Sequence, residues 1–373
     1  MSVNIPHQLE DAVRAAAKDV VGDAPLATSA LARAVVDRSK RYTSERDRLS
    51  APSDRTADLA ARAAFFTIAD AMKIAIPLGE LANRGAIPAR RPLRVTDLGA
   101  GCGALSLGLV ASLESDATGG AMFELTLVDR DIDALRIAAD ALRRLAAHHA
   151  TQVAITTRVA DVTATAIPAS DLILAGTVFN ELPEAKRLPL AERALAALAD
   201  DGALIIIEPA LRDTSRGLHA LRDAMIAKGA HVFAPCTRQL APCPMLENEH
   251  DWCHEDRKVT LPPQTSELAR LTHLRDNGLK FSYLVLRKQP LALVDRPHAW
   301  RVVSEPLPAK GKLELYGCSD AGRVPLRLLR RNRSDANRAF ERADRGDVVV
   351  VAETEIGKDT PVDRVTPSAK RPD

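Results

Sequence analysis

The segment Val95-Thr-Asp-Leu-Gly-Ala-Gly-Cys-Gly103 constrains this chain more than any other. An apolar run ends in glycines at alternate positions, Gly99, Gly101 and Gly103, and a helix-forming stretch follows. Glycine lets the chain turn tightly and lets a ligand approach the backbone, at the edge of an open sheet where ligands bind. Such a loop fits several nucleotide cofactors, and its neighbours narrow the choice. Asp129 ends the next strand-like run, Leu127-Val-Asp, where a carboxylate can accept both ribose hydroxyls. Asp97 precedes the loop and suits the ammonium of a methionine moiety, whereas it would repel a pyrophosphate. Asp161, in Ala160-Asp-Val, is placed to reach an adenine amino group. Together Asp97, Gly99, Gly101, Gly103, Asp129 and Asp161 favour S-adenosylmethionine over NAD. The plainer alternative is that Asp97 caps the turn and Asp161 merely ends a strand.

Around this loop the texture is α/β. Leu93–Leu98, Phe123–Val128, Val153–Val159, Asp171–Ala175 and Ala203–Ile207 read as strands, with helices over 104–113, 131–148, 185–198 and 218–228. The succession predicts an open parallel sheet covered on both faces. Before it, 7–49 and 56–81 have helical spacing and are punctuated at Ser50–Ser53 and Arg90–Pro92. Beyond Gly229 regularity fails among prolines and cysteines. Short strands then follow at 281–286, 301–303, 313–316, 324–329 and 347–351. The expected organisation is an N-terminal helical segment (1–89), a Rossmann-like domain (90–230), a cysteine-rich region (231–280), a β-rich basic appendage (281–355) and a disordered tail (356–373).

Cys236, Cys243 and Cys253 crowd into the irregular stretch, and ordering it would be costly unless something clamps them. No export signal precedes them, so disulfides are not expected, and a metal site is the first reading. The spacings fit paired zinc motifs poorly. An iron–sulfur cluster tolerates looser spacing, with Cys318 as fourth ligand. A Cys3His zinc site completed by His254, or simple buried cysteines, remain alternatives. Cys102, inside the glycine loop, reads as a small apolar filler.

From Leu93 to Pro209 the chain resembles a class I methyltransferase. Asn180 and Glu181, in Val178-Phe-Asn-Glu-Leu-Pro, stand where such enzymes carry acceptor-site residues, although Asn-Glu-Leu-Pro could equally cap the next helix. More specifically, Asn180-Glu-Leu-Pro, Ile207-Glu-Pro, His231-Val-Phe-Ala-Pro-Cys, Cys243-Pro, Asp251-Trp-Cys-His and Lys280-Phe-Ser-Tyr-Leu resemble the methyltransferase-like protein 17 family of the mitochondrial small ribosomal subunit and its bacterial relatives. The resemblance implies association with the small subunit during assembly, and a 4Fe-4S cluster on Cys236, Cys243, Cys253 and Cys318.

Charge bears on the partner. Lys plus Arg is 51 against 49 for Asp plus Glu, yet between Arg296 and Arg345 there are twelve basic and six acidic residues. Arg323, Arg327, Arg330, Arg331 and Arg333 fall in one strand and turn, a clustering that phosphate-backbone binding needs. Aromatics at 3% disfavour a stacking platform for single strands. No apolar run is long enough for a membrane span. Taken with this arginine strip, the resemblance implies a monomeric, cytoplasmic bacterial factor that binds small-subunit 16S-type rRNA. The alternatives are an active rRNA methyltransferase and a small-molecule methyltransferase with structural cysteines.

Overall fold

The computed structural model describes residues 3–43, 54–113, 121–148, 151–275 and 278–368. A two-residue strand, β1 (Val3–Asn4), leads into helices α1 (His7–Val21), α2 (Thr28–Thr43), α3 (Arg55–Ala61), α4 (Ile68–Ala71) and α5 (Ala75–Asn83). Gly22, at φ +76°, ends α1 and so splits the helix expected over 7–49. The expected break at Ser50–Ser53 lies outside the described residues. Asp54 starts α3 by accepting the N–H groups of Thr56 and Ala57. Arg62–Thr67 then form a π-helical turn.

Alternation follows: β2 (Leu93–Leu98), α6 (Ala104–Leu113), β3 (Met122–Asp129), α7 (Ile132–His148), β4 (Gln152–Val159), β5 (Ser170–Gly176), α8 (Glu184–Ala197), β6 (Leu198–Pro209) and α9 (Arg212–Ala227). The remainder holds β7 (His231–Ala234), β8 (Glu255–Arg257), β9 (Val259–Thr260), α10 (Pro263–Thr272), β10 (Leu279–Arg287), β11 (Ala299–Val302), β12 (Leu307–Ala309), β13 (Lys312–Ser319), β14 (Gly322–Leu329), α11 (Arg338–Glu341), β15 (Val348–Val350), β16 (Glu355–Ile356) and β17 (Asp363–Val365). None of the described helices is long and apolar enough to cross a membrane.

Helix α10 departs from the irregular run expected there. Pro262 and Pro263 read as breakers, yet proline suits the first turn of a helix, where its missing N–H costs nothing. Buried Glu10 completes that start, accepting the N–H of Gln264 (3.2 Å) and both the N–H and hydroxyl of Thr265 (2.7 Å each). The expected disordered tail also departs. β17 pairs with β15, and Val362 joins the core of the same sheet, so 356–368 is built in; 369–373 lie outside the described residues.

The chain forms two compact units, each discontinuous: Met1–Ala75 with Ala89–Val178 and Arg257–Leu279, and Ile76–Pro88 with Phe179–Asp256 and Lys280–Asp373. In the first, β2 lies between β3 and β5, and β4 pairs β3, all parallel. Helices α1 to α4 belong to this unit, whereas α5 beyond Ala75 belongs to the second. α1 packs against α7, and Leu31, Val35, Phe65 and Leu268 share one core. In the second unit β10 runs antiparallel between β6 and β7, pairing Phe281 with Pro209 and Leu286 with Leu204. Residues 281–286, expected in the appendage, are therefore a strand of the β6 sheet. The cysteine region is inserted between β7 and β10. A separate sheet, ordered β16-β14-β13-β11-β15-β17 with β12 on β13, closes over Trp300, Leu315, Leu326 and Phe340. The strand order of the first unit and the reversed strand of the second are those of a Rossmann-like, class I methyltransferase α/β fold.

Candidate functional site

In the first unit the glycine loop turns at the carboxyl end of β2. Gly99, Gly101 and Gly103 all take positive φ, +68°, +52° and +87°. At Gly99 a Cβ would stand 2.4 Å from Cγ2 of Val178, so glycine is required on two counts. The N–H groups of Gly99 and Ala100 donate to the Val128 carbonyl (2.8 and 3.0 Å), and that of Gly101 donates to Oδ2 of Asp129 (2.8 Å). The loop and the acidic end of β3 are thereby fixed to each other.

Asp97 is buried and accepts a hydrogen bond from Ser106 Oγ (2.6 Å). Among the described residues no cationic side chain pairs with it, and burial pushes its carboxyl up to about 7. Asp161 is turned toward its own loop. Its Oδ1 takes the N–H (2.8 Å) and hydroxyl (2.9 Å) of Thr163, which hold it below the usual carboxylate range. Ile132 and Val159 are exposed apolar side chains flanking the acidic ends of β3 and β4. Cys102 is buried, its thiol pushed up to about 11 by burial, as befits an inert filler. One residue the sequence did not mark is Arg62, from the π-helical turn. Its Nη1 pairs with Oδ2 of Asp131 at 2.7 Å, and its Nη2 lies 3.6 Å from where a Gly101 Cβ would stand.

Asn180 and Glu181 sit in the second unit, in a single turn over Phe179–Glu181. Buried Glu208 holds that turn by accepting the N–H groups of Phe179 (2.9 Å) and Asn180 (3.2 Å). Burial pushes the Glu208 carboxyl up to about 7. The motif Ile207-Glu-Pro was legible as a resemblance, but this anchoring role was not.

The second unit also gathers Cys236, Cys243, Cys253 and Cys318 around one cavity of about 40 Å³, several times the ~10–15 Å³ that a single water needs. One face of α9 organises the loop that carries the first three. Nη1 of Arg216 donates to the carbonyls of Met245 (2.7 Å), Asn248 (2.7 Å) and Asp251 (3.0 Å). Nε2 of His219 accepts the N–H of Cys253 (3.0 Å), and Oδ2 of Asp223 accepts that of Cys243 (2.7 Å). Burial and two arginines lower the His219 pKa to about 4, so it is neutral and free to accept. From the other side, Thr237 Oγ1 donates to the Cys318 carbonyl (3.0 Å) and Arg238 to that of Asp320 (2.6 Å). Cys318 lies in β13 between Arg301 on β11 and Arg323 on β14.

Burial and the neighbouring thiols push Cys243 and Cys318 up to about 12, and Cys253 well above its usual range. His254 lines the same cavity, and its Nδ1 has no hydrogen-bond partner among the described residues. No group of three or more His, Cys, Asp or Glu among the described residues is drawn tightly enough to hold a single metal ion.

The five predicted arginines divide. Arg323 pairs with Asp251 and lies over the Tyr316 ring at 4.8 Å; Arg327 pairs with Glu314 and Glu355, and Arg333 with Glu341. Arg330 and Arg331 are exposed and form no ion pair among the described residues. The strip is thus partly neutralised by its own fold.

Comparison with curated proteins gives no match. Among solved structures the chain is similar to mitomycin 7-O-methyltransferase (15% identity over 64% of this chain and 59% of that one, TM-score 0.37). It is similar also to the plantazolicin methyltransferase in complex with SAH (12%, 74% and 99%, TM-score 0.38). A third is the magnesium protoporphyrin IX methyltransferase from Synechocystis PCC 6803 with bound SAM (11%, 69% and 97%, TM-score 0.36). The match spans a little over half the length of the first of these. The family model described as "Mitochondrial small ribosomal subunit Rsm22" matches residues 60–349, well over half of the chain, and the protein therefore belongs to this methyltransferase-like family of the small ribosomal subunit.

Proposed function

We propose that the protein is an assembly or translation factor of the small ribosomal subunit, carrying a 4Fe-4S cluster on Cys236, Cys243, Cys253 and Cys318 and binding small-subunit rRNA. The observation that carries the reading is the convergence of four cysteines from a loop and a distant strand on one cavity, in a chain of the small-subunit family. The donor set fits the group: four soft thiolates match an iron–sulfur cube better than the hard oxygens of a magnesium or calcium site. A bound cluster supplies a cross-link between the cysteine loop and β13. The chain's own part is to present the loop, which Arg216, His219 and Asp223 hold through its backbone. Arg330 and Arg331 offer charge to phosphates in a salt-sensitive contact.

The cofactor reading concerns the first unit. A bound S-adenosylmethionine supplies an electrophilic methyl group. Asp97 takes its ammonium, Asp129 the ribose hydroxyls and Asp161 the adenine amino group, with the glycines giving the backbone close approach. A second reading, an active rRNA methyltransferase acting by proximity and orientation, is favoured by one observation: Asp97 is a buried carboxylate with no cationic partner among the described residues, which a ligand ammonium would satisfy.

Anaerobic purification with iron and sulfide analysis, followed by co-sedimentation with small subunits, tests the first reading. Iron, sulfide and salt-sensitive association are expected. Stoichiometric zinc without sulfide, or no association at low salt, overturns it. Transfer of a radiolabelled methyl group to immature subunits would establish the second.

A further inference from the structure

We propose that Arg222 is a positioning residue of the four-cysteine site, clamping the cysteine loop and lending its ligands a fixed positive charge. The inference rests on the cluster reading above and extends it to a residue that no ligand motif marks. Arg222 lines the cavity with the four cysteines, and its side chain is 2% exposed. Its terminal nitrogens are committed: Nη2 donates to the carbonyls of Arg238 (2.8 Å) and Leu240 (3.2 Å), and Nη1 donates to Leu240 (3.2 Å) and the Asp223 carboxylate. These bonds fix where the loop between Cys236 and Cys243 runs. The remaining donor, Nε–H, is buried and has no hydrogen-bond partner among the described residues.

A guanidinium cannot shed its proton, so this unsatisfied donor carries a full desolvation cost until an acceptor arrives. The guanidinium faces the thiols of Cys236, with which it hydrogen-bonds, and Cys243. Thiolates held by iron at these positions would be stronger acceptors for the guanidinium than the neutral thiols. A fixed cation beside a cluster favours its more negative, reduced form and so raises its midpoint potential, and it also favours retention of anionic ligands. Asp223, paired with Arg222, opposes that charge while holding the Cys243 N–H.

The test uses the full chain, reconstituted anaerobically with iron and sulfide and titrated with dithionite as electron donor while visible absorbance and electron paramagnetic resonance are followed. Arg222→Gln is expected to lower the midpoint potential and to speed loss of iron to a chelator roughly tenfold. Arg222→Lys, which keeps the charge, should stay near the wild-type potential. Asp223→Asn, which can still accept the Cys243 N–H, should raise the potential, a sign that a merely structural role would not produce. If Arg222→Gln does not fold, the Lys and Asn variants decide. Potentials unmoved in every loaded variant overturn the Arg222 proposal alone. Failure of the wild type to take up iron and sulfide overturns the cluster reading and this proposal with it.

Discussion

Nη1 of Arg301 lies 2.8 Å from Oε1 of Glu80, and both side chains are almost wholly buried. Nη2 of the same guanidinium reaches Oε1 of Glu255 at 2.7 Å and the Tyr283 hydroxyl at 2.9 Å, and Tyr283 in turn donates to Glu80 (2.7 Å). One cation thus joins α5, β8, β10 and β11 within the second unit. Arg301→Met should leave two buried carboxylates uncompensated and cost about 3–5 kcal/mol. Urea unfolding checks this, and a cost below about 1 kcal/mol would show that the four segments are held by packing instead.

On the proposed cofactor reading, Asp97 should make ligand binding pH-dependent. Its folded-state carboxyl is raised to about 7 from 3.8. The folded protein therefore binds this proton more tightly than the unfolded chain does, and the stability so gained is full below about pH 4 and lost as pH rises to about 7. An ammonium ligand reverses the preference, so affinity for S-adenosylmethionine should fall as pH drops below about 7 and level off above it. Asp97→Asn should stabilise the ligand-free protein at about pH 8 while abolishing binding. Calorimetric titration and melting curves on either side of neutrality check both signs.

Arg330 and Arg331 are the exposed members of the basic strip that form no ion pair among the described residues, whereas Arg327 is committed to Glu314 and Glu355. Replacing both with Ala should lower affinity for small-subunit rRNA and reduce the slope of log affinity against log salt by about two. Arg327→Ala should leave that slope nearly unchanged. Filter binding over a salt series distinguishes these outcomes.

Glu208→Ala should release the N–H groups of Phe179 and Asn180, which its carboxylate accepts. The expected result is faster amide exchange confined to that turn, with a stability loss of about 1–3 kcal/mol. Exchange unchanged at both amides would show that the turn is held without it.

The sequence made the α/β alternation legible because β2, β3, β5 and β6 are short apolar runs closed by Gly, Asp or Pro, and α7 carries a clear apolar face. Leu93–Leu98 and Ala104–Leu113 were readable to the residue. The strand over 279–287 was readable as a strand but not as a neighbour of β6, since the insertion before it hides its pairing. Helix α10 was hidden by Pro262-Pro263, and the cap that starts it, Glu10, lies at the other end of the chain. Ordering of 356–368 was illegible because its polar composition masks two buried apolar anchors, Ile356 and Val362.

The cysteines themselves were legible by residue type. Their support was not, because Arg216, His219, Arg222 and Asp223 lie at ordinary helical spacing on α9 and bond mostly to backbone, which leaves no motif. The arginine strip misled in the opposite sense: proximity in sequence gave the charge, but only the fold assigns Glu314, Glu341, Glu355 and Asp251 as its internal partners.

The central claim is tested most directly by iron and inorganic sulfide per chain, measured after anaerobic purification of the wild type and of single Ser variants at Cys102, Cys236, Cys243, Cys253 and Cys318. Iron and sulfide in equal amounts are expected in the wild type and in Cys102→Ser, with loss in each of the other four. Zinc in place of iron and sulfide, or full retention in any of those four variants, would contradict the account.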